Sequence, residues 1–179
     1  MAQRKPPPLE APALEAYGLK ALEGRALSIG ELKERLRRRA AHPADVDALL
    51  SKFKQYGYLN DRKFADTFAA SRLENRGLGK ARVLRDLRQR RVAPGVAQQS
   101  VDAAFREVNE VELIESFLAR KFRHVDLPGH LAEEKRLAAA YRKLRYAGFS
   151  SANSIRVLKR YAARAAELDG LEDQPEPGP

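Results

Sequence analysis

Apolar residues recur every three or four positions along most of the chain, which is the spacing of one face of an α-helix. Leu32 and Leu36 form one such pair, and Val46 to Phe53 continue the pattern in the next segment. No run of five or more residues alternates apolar and polar positions among β-branched residues, so strands are not indicated. The pattern predicts an all-α fold.

Residues that start and stop helices separate these apolar segments. Ser28 and Glu31 have the spacing of a capping box, in which each side chain bonds to the other residue's backbone. Pro43 and Pro94 fit the first turn of a helix, and Gly57 fits the position just after a helix end. The predicted helices are therefore short and follow one another closely.

The helices form an internal repeat. Leu36, Leu87 and Leu144 each precede a helix breaker and a further apolar helix. Units of this kind pack mainly on their neighbours. We expect a tandem array, elongated and curved, of three repeats with three helices each, at residues 13–59, 60–108 and 109–165.

Composition sets the two ends apart from this array. Residues 1–12 are rich in proline and are predicted to be disordered. Residues 166–179 carry five acidic side chains and no basic one, which predicts a disordered acidic tail. Such a tail either competes with polyanions for a basic surface or only aids solubility.

Charge supplies the first indication of function. The chain has 34 Lys and Arg against 24 Asp and Glu. Residues 12–164 hold 32 basic and 18 acidic residues, a net charge of +14. A surface this basic attracts polyanions or an acidic partner, although a merely well-solvated helical surface would have the same composition.

Basic side chains concentrate on one predicted helix at residues 79–91. Arg82, Arg85 and Arg88 should form a stripe facing away from Leu84 and Leu87. Guanidinium groups donate paired hydrogen bonds to phosphates and carboxylates. The remaining candidate contact residues are Arg35, Arg37, Arg38, Arg39, Arg72, Arg76, Lys80, Arg90, Arg91, Arg142, Lys143, Arg145, Arg156, Lys159 and Arg160.

Catalytic and cofactor chemistry is not indicated. The chain has no cysteine, and its three histidines lack metal-ligand spacing. The Gly77–Lys80 stretch lacks the spacing of a phosphate-binding loop and follows a helix rather than a strand. We expect a protein that is not an enzyme and that binds neither metal nor cofactor.

The N-terminus lacks a signal-peptide pattern and no apolar run spans a bilayer, so a soluble, cytoplasmic protein is expected.

Three stretches resemble the RecX family. The first stretch begins with a "GYL(D/N)D..FA" motif and continues to Arg72, Arg76 and Gly79. The residues of the motif are Gly57, Tyr58, Leu59, Asn60, Asp61, Phe64 and Ala65. The helix at residues 79–92 and the element at 141–149 are similar to later parts of the family pattern. Asn60 stands where many members have Asp, and Arg91 stands where a Lys-Gly pair is common.

The family motif at Gly57, Tyr58 and Leu59 permits a structural and a functional interpretation. A tyrosine could stack on a base. The favoured interpretation is structural, with Gly57 at positive φ and both following side chains packing one helix onto the previous one.

The resemblance implies a three-fold array of three-helix units that modulates, mainly by inhibition, the RecA recombinase. It implies binding to the RecA–DNA filament and lower ATPase, coprotease and strand-exchange activities, with a role in DNA repair, recombination and the SOS response. The expected partners are RecA and single- or double-stranded DNA, with the protein itself a monomer. The alternatives are a helix-turn-helix DNA-binding regulator or a peptide-binding adaptor. The basic helices offer few amide side chains for reading bases, namely Gln89, Gln98 and Gln99.

Overall fold

Helices account for the regular structure of the protein. The computed structural model describes residues 7–162 and Ala165, and this part contains ten helices and no strand, which confirms the all-α class. None of these helices is both long and apolar enough to cross a membrane. The helices are α1 Ala11–Gly24, α2 Ile29–Arg37, α3 Pro43–Gln55, α4 Asp61–Arg76, α5 Lys80–Gln89, α6 Pro94–Ala104, α7 Glu110–Lys121, α8 Leu127–Leu131, α9 Glu134–Tyr146 and α10 Ser151–Leu158.

The predicted helix boundaries are present in the structure. Ser28 Oγ accepts a hydrogen bond from the Glu31 backbone N–H at 3.0 Å, and the Glu31 carboxylate accepts one from Ser28 N–H at 3.2 Å. Pro43 lies in the first turn of α3, and Gly57 follows α3 with φ +75°. These boundaries were predictable because each depends on contacts within a few residues.

Helix α8 was not predicted, because the repeat at residues 109–165 was expected to hold three helices. The Asp126 carboxylate accepts a hydrogen bond from the Gly129 backbone N–H at 3.0 Å, and Pro128 lies in the first turn. Both features favour a helix start. The segment from residue 109 onward therefore contains four helices in its described part, not three.

The chain forms two compact units. Unit 1 comprises Met1–Phe68 and Asp86–Val101, and unit 2 comprises Ala69–Arg85 and Asp102–Pro179. In the core of unit 1 the ring of Phe53 lies against Gly18, where an added Cβ would meet it at 2.9 Å. In the core of unit 2 the rings of Phe117 and Phe149 pack edge to face, with centroids 5.4 Å apart.

In unit 2, the start of α5 is hydrogen-bonded to the turn between α9 and α10. Gly79 N–H donates to the carbonyl oxygen of Ala147 at 2.8 Å, and Ala81 N–H donates to that of Gly148 at 3.2 Å. A Cβ on Gly79 would overlap the Gly148 carbonyl, and a Cβ on Gly148, whose φ is +92°, would overlap the backbone of Arg82. Glycine at both positions lets the two backbones approach this closely.

Related contacts occur twice in unit 1. Leu9 N–H donates to the carbonyl of Arg39 at 2.6 Å, and Ser28 Oγ donates to the carbonyl of Arg90. Residues 9–12 are thus held in the fold, unlike the predicted disordered segment, because Leu9 packs on the core of unit 1 and α1 begins at Ala11. Residues 1–6 and the predicted tail at 166–179 lie outside the described residues. The acceptor carbonyls in these contacts belong to Arg39, Arg90 and Ala147. Each lies three positions after a fully buried leucine, and these leucines are Leu36, Leu87 and Leu144 respectively.

Candidate partner and DNA interface

The inner side of α5 consists of Val83 and Leu87, which are fully buried. Leu84, predicted to lie on that side, is partly exposed and lines a cavity. The prediction that Leu84 lies on the buried side was therefore wrong, and the buried residue is its neighbour Val83. Val83 and Leu87 are four residues apart, and Leu84 and Leu87 are three apart, so helical periodicity permits either pair.

Arg82 and Arg85 lie against the C-terminal end of α9 in unit 2. Arg85 Nη2 donates to the carbonyl oxygen of Tyr146 at 3.1 Å, and Arg82 Nη1 lies 3.5 Å from the same oxygen. Their guanidinium carbons lie 5.6 and 4.5 Å from the centroid of the Tyr146 ring. Both side chains are half-buried. Cations are favoured here because the last carbonyl groups of a helix carry partial negative charge.

The later part of the basic cluster at residues 79–91, namely Arg88, Arg90 and Arg91, belongs to unit 1. Arg88 is exposed. Arg90 is partly buried, with Nη1 donating to Glu31 at 2.8 Å and its guanidinium 5.6 Å from the ring centroid of Phe64. Arg91 is exposed and adopts φ +57°, a conformation that side chains rarely take. The predicted stripe of Arg82, Arg85 and Arg88 is thus not a uniform solvent-facing surface.

The first predicted cluster, on α2, is also only partly available. Arg38 forms an ion pair with Glu34 at 3.1 Å, and the guanidinium of Arg39 lies 5.3 Å from the ring centroid of Tyr17. Arg35 is half-buried, whereas Arg37 is exposed. Arg37 is therefore the residue of this cluster best placed to meet a partner.

The predicted residues of unit 2 divide in the same way. Arg145 Nη1 donates to the carbonyl of Phe149 at 2.6 Å, and Lys80 pairs with Asp102 at 2.7 Å. Arg160 pairs with Glu115, Lys143 lies over the Phe122 ring, and Arg72 is half-buried. The predicted residues of this unit that are exposed without such contacts at their side chains in the described part are Arg76, Arg142, Arg156 and Lys159.

Tyr146 is the surface residue that the sequence analysis missed. Its side chain is 63% exposed although two guanidinium groups lie over its ring. Arg142 precedes it by four residues on α9, so both side chains lie on one helix face. The i, i+4 spacing was visible in the sequence, whereas the contact with α5 was not.

The RecX-like motif is mostly structural. The Asp61 carboxylate accepts a hydrogen bond from Ile29 N–H, at the start of α2, at 2.8 Å. Burial raises the pKa of Asp61, against the lowering effect of this hydrogen bond. Ala65 and Leu59 are buried, but Tyr58 is 57% exposed with its ring edge against Phe53. The predicted packing role is thus met fully by Leu59 and only in part by Tyr58.

A cavity of about 480 Å³ in unit 2 lies beside the carboxylate of Glu110. This carboxylate accepts hydrogen bonds from Ser150 N–H at 2.8 Å, from Ser150 Oγ at 2.5 Å and from Asn153 Nδ2 at 2.5 Å. Burial acts to raise the pKa of Glu110, but these hydrogen bonds outweigh it and lower the pKa below its usual value. The residue therefore ties the start of α10 to the start of α7.

Comparison with known proteins gives one consistent result. Residues 60–101 match the family model described as RecX, second three-helix domain. Regulatory protein RecX of Syntrophotalea carbinolica is 28% identical over 145 residues, which cover 79% of this chain and 93% of that protein. Regulatory protein RecX of Streptomyces coelicolor is 29% identical over 159 residues, covering 87% and 81%. The crystal structure of RecX from Lactobacillus salivarius superposes with a TM-score of 0.62 at 15% identity, covering 84% of this chain and 96% of that one, and shares the fold.

Proposed function

We propose that this chain belongs to the RecX family and is a regulatory protein that inhibits the RecA recombinase by binding the RecA–DNA filament in the cytoplasm. The observation that carries the proposal is the similarity to Regulatory protein RecX along 93% of that relative's length. The basic composition of residues 12–164 supports it, since a filament of protein on DNA presents phosphates and acidic side chains. The inhibition would lower the ATPase, coprotease and strand-exchange activities of RecA without any catalytic step by this chain.

We further propose that the chain is organised as repeats at residues 13–59, 60–108 and 109–165. The match of the second three-helix domain to residues 60–101 supports the middle repeat, which holds α4, α5 and α6. The three fully buried leucines at equivalent positions support the remaining two. An array of this kind offers one surface per repeat to a partner that is itself repetitive.

The side chains proposed to contact the filament are those exposed cations of the predicted clusters whose side chains form no hydrogen bond or ion pair in the described part of the chain. A cation that already donates to a carbonyl or carboxylate must lose that bond before it binds elsewhere, which lowers its net contribution. This criterion leaves Arg37 and Arg88 in unit 1 and Arg76, Arg142, Arg156 and Lys159 in unit 2.

The first test is the single-stranded-DNA-dependent ATPase of RecA, titrated with this protein. We expect half-inhibition well below one molecule per RecA subunit, because a protein bound along a filament affects several subunits. An unchanged ATPase, together with DNA binding that weakens steeply with salt, would instead favour the helix-turn-helix DNA-binding regulator.

A charge-reversal pair tests the proposed contacts. Arg88→Glu with Arg156→Glu should raise the concentration for half-inhibition by about tenfold or more, since two cations become two repelling anions. The matched control is Lys20→Glu with Lys135→Glu, which makes the same change in net charge at exposed positions outside the proposed surface. Equal losses in both pairs would mean that net charge alone governs binding. Arg82 and Arg85 are unsuitable for this test because their contacts with Tyr146 stabilise unit 2.

A further inference from the structure

The exposed ring of Tyr146 lies among cations at the C-terminal end of α9. Arg82 and Arg85 lie over the ring, and Arg142 lies one turn earlier on the same helix face. We propose that this surface binds single-stranded nucleic acid, with one base stacked on the Tyr146 ring and a flanking phosphate bound by the exposed side chain of Arg142. The proposal rests on the proposed function, because it names the part of the filament that this surface would meet.

The chemistry of the surface fits this ligand in two respects. A tyrosine ring stacks on any base, and a nearby cation adds to such stacking and neutralises the backbone. The ring is already oriented, since the two guanidinium groups that lie over it also approach the Tyr146 carbonyl. An oriented ring loses little conformational entropy on binding.

The ligand should be single-stranded rather than duplex. In a duplex each base is already stacked on its neighbours and paired, so a single ring gains a base only if that base leaves the stack. An acidic protein would pair with Arg142 but would leave the aromatic ring of Tyr146, a residue that is 63% exposed, without a role. Single-stranded nucleic acid uses both features of the surface.

Two other exposed tyrosines lack this arrangement. Tyr56 is 64% exposed and Tyr58 is 57% exposed, with ring centroids 6.1 Å apart. Among the described residues no Arg or Lys lies over either ring, and Tyr58 already packs its edge on Phe53. Lys52, one turn before Tyr56 on α3, is already paired with Glu15 at 2.6 Å, whereas Arg142 beside Tyr146 has no such ion pair in the described part of the chain, which makes Tyr56 a suitable control.

The chain contains no tryptophan, so one substitution creates a fluorescent reporter with no background. Tyr146→Trp should lose most of its emission when a short oligothymidylate is added, and the loss should reverse with salt. Tyr56→Trp should change little under the same conditions. In the same assay Tyr146→Ala should bind the oligonucleotide about tenfold more weakly, with a smaller change for a duplex of equal length. Circular dichroism of each variant verifies the fold.

Three results would overturn the proposal. The first is unchanged emission from Tyr146→Trp on addition of oligothymidylate. This result counts against the proposal whether the anisotropy of a labelled oligothymidylate shows binding to the protein or none. The second is equal quenching of Tyr56→Trp. The third is a response of Tyr146→Trp to polyglutamate but not to oligothymidylate, which would assign the surface to an acidic protein. RecA ATPase inhibition measured in parallel separates this proposal from the proposed function. Inhibition without quenching would overturn only base stacking on Tyr146, and quenching without inhibition would overturn only the proposed function.

Discussion

The close approach of α5 to the turn after α9 makes a sharp prediction for Gly79→Ala. The methyl group would overlap the carbonyl of Gly148, which is backbone and cannot rotate away. Unit 2 must then separate the two segments and weaken the hydrogen bonds from Gly79 to Ala147 and from Ala81 to Gly148.

The magnitude follows from these two effects. Overpacking of a close contact costs about 1–3 kcal/mol. Each lost backbone hydrogen bond adds about 1 kcal/mol. We therefore expect the free energy of unfolding to fall by at least about 3 kcal/mol, against a total of about 5–15 kcal/mol for a typical protein. For a chain of this size the melting temperature should fall by about 6–12 °C.

Thermal and urea unfolding followed by far-ultraviolet circular dichroism would measure the change. Gly95→Ala is the matched control, because Gly95 lies in α6 and nothing lies within 4 Å of an added Cβ. Alanine is a better helix former than glycine, and because Gly95 lies in the first turn of α6, this control should be neutral or gain less than about 0.5 kcal/mol. If Gly79→Ala changed stability by less than about 0.5 kcal/mol, as an ordinary surface substitution does, the close backbone contact would not exist in solution.

Three further predictions concern the local anchors of the fold. Ser28→Ala should destabilise unit 1 by about 1–2 kcal/mol in urea unfolding, because the capping box and the hydrogen bond to the Arg90 carbonyl are both lost, and an unchanged midpoint would contradict this. Gly57→Ala should cost about 1 kcal/mol, since its φ of +75° strains a side chain although space is open, and a gain in stability would refute the assigned conformation. The pKa of Glu110 is lower in the folded state, so its contribution is present above the unfolded value near 4.5 and is lost as the pH falls through the folded value. Glu110→Gln should therefore flatten the acid side of the stability profile, and an unaltered profile would show that the hydrogen bonds from Ser150 do not act on the carboxylate.

Much of the local structure was determined by the sequence itself. The all-α class, the capping box at Ser28, the proline helix starts and the glycine at the end of α3 depend on groups within a few residues of one another. Such interactions have the same geometry wherever they occur, so sequence spacing is enough to predict them. Helix α8, which the three-helix repeat did not predict, has equally local signals at Asp126 and Pro128.

Only the tertiary structure decided which basic residues are available. Arg85 and Arg88 look equivalent in sequence, yet Arg85 donates to a carbonyl 61 positions away and Arg88 is exposed. The choice of Val83 over Leu84 as a core residue, and the placing of Tyr146 beneath two arginines, depend on the same packing. Helical periodicity specifies, to within one residue, which side chains lie on a given face of their own helix. The neighbour it meets depends on segments far away in the chain, and their relative placement follows from burial of the whole apolar surface.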